Sequence, residues 1–195
     1  MWLRTVLALG ASFLLASSSA NAQGYVAPAI GITFGNPSSS GRPDFVVDVG
    51  GVSQSGRIGA EVDVTYAPNF FGSGGPLGEN SVTTAMVNLI FAGGSQPTRF
   101  FNRSRSGVRP YASAGVGIMH EAVSTETTPV HRISNNDFGL NGGVGVMAFS
   151  NGTFGFRLDV RYFRDLADNN QGNMTNVDFG SFHFWRASAG VIVAF

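Results

Sequence analysis

Residues 183–195 read HFWRASAGVIVAF. Trp185, Ala187, Ala189, Val191, Val193 and Phe195 occupy every second position, with Arg186, Ser188 and Gly190 between them. A period of two marks a strand with one apolar face. The segment 154–164 repeats it: Phe154, Phe156, Leu158, Val160 and Tyr162 share one face, and Arg157, Asp159 and Arg161 share the other. So does 58–66, with Ile58, Ala60, Val62, Val64 and Tyr66 against Glu61, Asp63 and Thr65.

Five further segments of similar length carry the period more weakly: 24–34, 44–52, 81–92, 109–121 and 137–149. Their apolar sets are Val26/Ile30/Ile32/Phe34, Phe45/Val47/Val49, Ala85/Val87/Leu89/Phe91, Ala112/Ala114/Val116/Ile118 and Phe138/Leu140/Val144/Val146. Glycines such as Gly115, Gly117, Gly139, Gly143 and Gly145 fill much of the opposite face. An inward face of small residues suits a narrow barrel. The expectation is all-β: an eight-stranded antiparallel up-and-down barrel.

The aromatic positions decide which face is outside. With a periplasmic N-terminus and strands alternating up and down, Phe34, Phe45, Tyr66, Phe138, Tyr162 and Trp185 fall at outer strand ends. Phe91, Phe154 and Phe195 fall at periplasmic ends, and all nine lie on the apolar parity of their strands. Two aromatic belts around a band of aliphatic residues are a membrane girdle, whereas a soluble core has no reason to sort its aromatics by strand end. A lipocalin-like soluble barrel with the faces reversed is the rival, and it would stay soluble without detergent. The connections alternate in part between short turns (Gln54-Ser55-Gly56, and Asn151-Gly152, a hairpin signal) and longer outer loops near 35–43, 67–80, 122–136 and 165–182. The segment 93–108 breaks the alternation: it is long where a periplasmic turn is due, unless the fourth strand is misplaced.

Composition agrees. The 195 residues suffice for one domain. Only 12% are charged, about half of the ordinary 25%. The 12 basic residues, all Arg, balance 12 acidic ones, so no basic excess points to nucleic acid. The absence of cysteine removes disulfides, thiol catalysis and thiolate metal sites. Residues 1–22 read as a secretory signal: Arg4, an apolar run over 6–16, and Ala20-Asn21-Ala22 before Gln23. The run is too short to span a bilayer as a helix. Cleavage before Gln23 would leave 23–195 as the barrel domain.

Inward parity collects Asp48, Glu61, Asp63, Glu121, Arg157, Asp159, Arg161 and Arg186. Eight strands leave an interior that side chains fill, and charges buried there must pair. The expectation is a network joining Arg157, Arg161 and Arg186 with Asp48, Glu61, Asp63 and Asp159. It reads as a structural plug or as a narrow ion path or gate, and barrel size favours the plug.

Other polar groups are weaker candidates. Eight-stranded lipid A deacylases carry His-x-Ser-Asn with a distant Glu. Here His131-Arg132-Ile133-Ser134-Asn135 is one residue too long, which on a strand puts His131 and Ser134 on opposite faces, and the pair reads as loop. Asp165, Asp168, Asn169, Asn170, Gly172 and Asp178 offer oxygen ligands of the kind that hold calcium, without EF-hand spacing. Arg99, Arg103 and Arg105, with Phe100 and Phe101 among them, suit an anionic surface or a solvated run. His120 and His183 stand apart, with no metal set around them. No cofactor, no metal and no catalytic residue is expected.

The chain resembles the small outer-membrane β-barrel proteins of Gram-negative bacteria, of the OmpA/OmpX and opacity-protein type. The carriers are RPYASAGVG at 109–117, NGGVGV at 141–146, LDVRYF at 158–163 and the terminal VIVAF at 191–195. The resemblance implies residence in the outer membrane among its lipids. It also implies insertion by the assembly machinery, which reads the last strand. That role would fall on Val191, Val193 and Phe195, with Val193 where many members have Tyr. It carries neither shared catalytic residues nor wall anchoring of the OmpA kind. The expected role is structural or surface-interacting through the outer loops, as a monomer. A narrow pore is the first rival and a lipid A-modifying hydrolase the second.

Overall fold

Eight antiparallel strands close into one barrel in chain order, each hydrogen-bonded to the next and the eighth to the first. They are β1 (Gln23–Phe34), β2 (Arg42–Val52), β3 (Ile58–Pro68), β4 (Leu77–Ala92), β5 (Gly107–Thr125), β6 (Arg132–Phe149), β7 (Phe154–Asp165) and β8 (His183–Ala194). This computed structural model describes residues 23–35, 41–53, 56–72, 77–93, 107–125, 132–150, 153–166 and 183–195. The expected signal segment, the Gln54-Ser55 and Asn151-Gly152 turns, the Arg99/Arg103/Arg105 run, His131 and the Asp168–Asp178 loop residues lie outside them.

The period of two becomes two faces. On β7, Phe154, Phe156, Leu158 and Val160 are exposed, while Gly155, Arg157, Asp159, Arg161 and Phe163 are buried. The same alternation of exposed and buried positions runs along β1, β2, β3 and β8. Ile30, Val144 and Phe156 are each more than 60% exposed. In water such a band of Ile, Val, Leu and Phe would be an aggregation surface; in lipid it is the low-energy arrangement.

Strand ends differ from the sequence reading by one or two residues on most strands, and by more at one place. The far ends, opposite the two termini, run longer on β4, β5 and β6. β4 starts at Leu77 rather than 81, β5 continues to Thr125 rather than 121, and β6 starts at Arg132 rather than 137. The three pair with one another there, Leu77 with Thr125 and Ser124 with Arg132, so these stretches have ladder partners and need no apolar period. Ser134 therefore sits on β6 opposite Ala122, and not in a loop. The fourth strand is in place: Ala92 pairs with Tyr111, and the Gly93 N–H donates to the Pro110 carbonyl at 2.8 Å. The long connection after it follows from the chain, not from a misread strand.

Closure at the seam has one local interruption. Tyr25 and Val26 pair with Ala194 and Val193, and pairing resumes at Ala29–Gly190 in unchanged register. Pro28 lies in the gap and has no N–H to donate. Beyond it, the Phe195 N–H donates to the Gly24 carbonyl at 2.9 Å and the Gly24 N–H to the Phe195 carbonyl at 3.1 Å.

Candidate functional site

The interior is filled in three layers. In the middle, Arg157, Arg161 and Arg186 stand within reach of Asp48, Glu61, Asp63 and Asp159. Each of the seven is at most 3% exposed. Neighbouring strands supply them: Asp48 lies opposite Asp63 across β2–β3, and Arg161 opposite Arg186 across β7–β8. Along β7, positions 157, 159 and 161 all point inward, so one strand offers Arg, Asp and Arg in turn.

Glu61 is the hub. It accepts from Arg157 Nη1, from Arg157 Nη2 at 3.1 Å, from Arg161 Nη2 at 2.6 Å and from the Tyr25 hydroxyl at 2.5 Å. Arg161 Nε also donates to Asp159 at 2.7 Å and its Nη1 to Asp63 at 3.2 Å. Arg186 holds Asp63 through both terminal nitrogens, at 3.1 and 2.5 Å, and donates to the Thr65 hydroxyl. Asp48 is held less closely, 3.3 Å from Arg157 and 3.9 Å from Arg161. A guanidinium offers five donors in a rigid fork and does not deprotonate, so one side chain can join several carboxylates in this way.

Two apolar layers sandwich the charges. Toward the termini, Tyr25, Val52, Ile90, Met147, Phe149 and Ile192 pack together with Tyr111. The two tyrosines join this layer to the network. Their rings belong to the apolar cluster, while the Tyr25 hydroxyl donates to Glu61 and the Tyr111 hydroxyl donates to Asp159 and accepts from Arg157 Nε at 2.7 Å. At the far end, Phe70, Val82, Met86, Met119, Phe163 and Phe184 form the second cluster. Phe163 stacks on Phe184 at 4.8 Å between centroids, Phe70 meets Phe184 edge-on at 5.0 Å, and the Arg186 guanidinium lies 5.0 Å over the Phe163 ring.

Phe70 reaches the lumen from outside a strand. Asn69 takes φ 52°, a left-handed value that Asn tolerates, and the Gly72 N–H donates to the Asn69 carbonyl at 2.9 Å. Asn80 clamps this turn: its Oδ1 accepts from the Phe71 N–H and its Nδ2 donates to the Gly72 carbonyl, both at 2.9 Å. The turn delivers Phe70 under the barrel rim, fully buried.

The aromatic belt residues all take the outward parity. Phe45, Tyr66, Phe91, Phe138, Phe154, Trp185 and Phe195 are exposed, and Phe34 and Tyr162 are half-buried. Trp185 neighbours both Phe34 and Tyr162 in register, with its ring 5.0 Å from that of Tyr162. Phe45 lies opposite Tyr66. Val191 and Val193 face outward on β8. Glu121 is buried on β5 above the network. His120 Nδ1 pairs with Asn136 Oδ1 at 2.8 Å, and His183 lies beside Tyr162 at 6.0 Å. Among the described residues no three His, Asp or Glu side chains are grouped to hold a metal ion.

Sequence reasoning missed Tyr25, Tyr111 and the far aromatic cluster. A signal existed for two members of that cluster: Phe163 and Phe184 share parity with Arg161 and Arg186, the wrong face for a lipid contact.

The family model described as outer membrane protein beta-barrel domain matches residues 5–191. Among solved structures, Neisserial surface protein A aligns with a TM-score of 0.62 at 16% identity, covering 89% of this chain and 97% of that one. A major outer membrane protein from Thermus thermophilus aligns at 0.56 and 12% identity, covering 88% and 99%. The N-terminal β-barrel domain of Pseudomonas aeruginosa OprF aligns at 0.53 and 14%, covering 89% and 97%. No curated protein matches significantly. At these identities the structural likeness is one of fold, and it agrees with the match that spans nearly the whole chain: this protein belongs to the outer-membrane β-barrel domain family and resides in the cell outer membrane.

Proposed function

We propose that this protein is a closed outer-membrane barrel whose work is structural or surface-interacting, carried by its outer segments, and that it is neither a pore nor an enzyme. The observation that carries this reading is the layered filling of the lumen. An ion would have to displace two packed apolar clusters and part a network in which three guanidiniums hold four carboxylates. Desolvated charges of this kind, once paired, are costly to separate. Side chains suffice to fill an eight-stranded barrel.

In this reading the nine aromatics form the lipid girdle, with both termini periplasmic, and the protein works as a monomer among outer-membrane lipids. Cleavage before Gln23 frees the barrel, and the assembly machinery reads Val191, Val193 and Phe195 on β8. No nucleic acid and no cofactor enters. The test is conductance of the pure protein in planar lipid bilayers. Silence at salt concentrations where open barrels conduct is expected. Reproducible unitary steps would overturn the closed reading in favour of a narrow pore.

A further inference from the structure

The outward face is not an even band. Between β4 and β8 it holds a groove of about 630 Å³, within the range of built ligand sites. The groove follows one register row of outward residues: Phe91 opposite Ala112, Ala112 opposite Val144, Val144 opposite Val160, and Val160 opposite Ala187. All five line it. Ala112 and Ala187 carry only a methyl group, so the surface is low there, while Phe91 stands up at one end, 50% exposed.

The row is oblique to the membrane. It starts at the rim where the termini lie, with Phe91 next to the last residue of β4, and ends at Ala187, seven residues short of the end of β8 at Ala194. Four steps between strands about 4.8 Å apart make about 19 Å. With strands tilted by about 40°, the row climbs about 12 Å. One leaflet is about 15 Å deep, half of the ~30 Å hydrocarbon core. The groove therefore has the reach of a single hydrocarbon chain of one leaflet. Charge marks its starting end. The Ala92 N–H, between the groove-lining Phe91 and Gly93, donates to the Arg57 carbonyl at 2.8 Å. Arg109 precedes Pro110, which also lines the groove. Arg57 is exposed and Arg109 half-buried. Among the described residues these two are the charged side chains of that rim, and neither is acidic. The connection 94–106 adds three Arg and again no acid. The far rim carries both signs, with Arg42 and Arg164 beside Glu121, Asp137 and Asp165.

We infer that this groove docks one glycerophospholipid, an acyl chain lying along the row from Phe91 to Ala187 and the phosphate meeting Arg57 and Arg109 at the terminal rim. Contact between lipid chains and outward Ala, Val and Phe is common to the whole band. What sets this place apart is a chain-length groove with cations at its mouth. An arginine near anionic headgroups gives roughly a fivefold preference for them. The proposal rests on the outward face meeting lipid. With the termini periplasmic, as proposed above, the occupant comes from the periplasmic leaflet.

The test is native mass spectrometry of the refolded barrel in mild detergent, titrated with phosphatidylglycerol or with phosphatidylcholine of the same acyl chains. Wild type should retain one phospholipid before any second one, with phosphatidylglycerol favoured. Ala112→Phe, which fills the row with an apolar ring, should lower retention of both lipids at least tenfold while heat-modifiable gel mobility shows it folded. Arg57→Gln leaves the row intact and should lower the preference for phosphatidylglycerol about fivefold. No retained lipid, or a graded series of adducts that Ala112→Phe leaves unchanged, would overturn the proposal. So would a dimer that Ala112→Phe dissociates, which would make the groove an interface between copies. If Ala112→Phe does not refold, Ala187→Phe at the other end of the row takes its place, and the single adduct of the wild type and the Arg57→Gln preference still decide. A charge tolerated at Val144 in bilayers would sink the membrane reading itself, whereas a charge rejected there and no retained lipid would sink the docking site alone.

Discussion

Replacing Arg157 by Ala isolates the central layer. The guanidinium meets Glu61 through both terminal nitrogens, Asp48 at 3.3 Å, Asp159 at 3.4 Å and the Tyr111 hydroxyl at 2.7 Å. After truncation Glu61 keeps Arg161 and Tyr25, and Asp159 keeps Arg161 and Tyr111, but Asp48 is left with a single guanidinium nitrogen at 3.9 Å. Removing one partner of a buried ion pair costs about 3–5 kcal/mol, or roughly two to three and a half powers of ten in the folding equilibrium. With a urea slope of about 1–3 kcal/mol per molar, the midpoint should fall by at least about 1 M. The assay is urea unfolding of the detergent-refolded barrel, with the folded fraction read from heat-modifiable gel mobility. Arg157→Lys keeps the charge but not the fork, and should fall between. The Ala variant should also stay silent in a planar bilayer, because both apolar clusters remain. A midpoint within about 0.3 M of wild type would refute the view that this network stabilises the barrel. Conductance in the Ala variant alone would make Arg157 a gate.

Three further outcomes are expected. Phe163→Ala removes the stack on Phe184 and the ring under Arg186 and should cost about 3–5 kcal/mol by the same urea assay. Val144, 62% exposed on β6 and flanked in register by Ala112 and Val160, should resist charge: Val144→Arg should destabilise by about 2–4 kcal/mol in bilayers if it faces the lipid midplane, and a neutral result there would mean that the outward face meets water. On the proposal that the assembly machinery reads Phe195 in cells, Phe195→Ala should lower the amount inserted into outer membranes of living cells far more than the yield of refolding in detergent; equal yields in both would remove Phe195 from that role.

The fold was legible because two independent patterns coincide on the same residues. On β3, β7 and β8 the alternation is strict, and the aromatics at the strand ends, Tyr66, Phe154, Tyr162 and Trp185, fall on the same parity as the aliphatic band. A soluble strand has no cause to obey the second pattern. The weak places are equally physical. Leu77–Asn80, Ala122–Thr125 and Arg132–Asn136 extend the β4–β5–β6 sheet at the far end. Backbone pairing holds them there, and backbone pairing leaves no mark in side-chain period.

The contents of the lumen were legible chiefly by charge. Arg157, Arg161, Arg186, Asp48, Glu61, Asp63 and Asp159 announce themselves by parity, because a charge on a strand of a membrane barrel has one tolerable side. The apolar residues beside them carry a fainter mark, parity without charge. Ile90, Met147 and Ile192 fall on the inward parity of their strands, yet as apolar residues they would be equally at home facing lipid, so parity alone did not single them out as one cluster. Phe70 was out of reach altogether, since its position depends on a left-handed Asn69 and a clamp from the distant Asn80. These apolar residues are also the ones that decide between plug and pore. A network of charges alone can part and reform around a passing ion, whereas a stacked Phe163–Phe184 pair closed over by Phe70 has no polar group to offer one in place of its water.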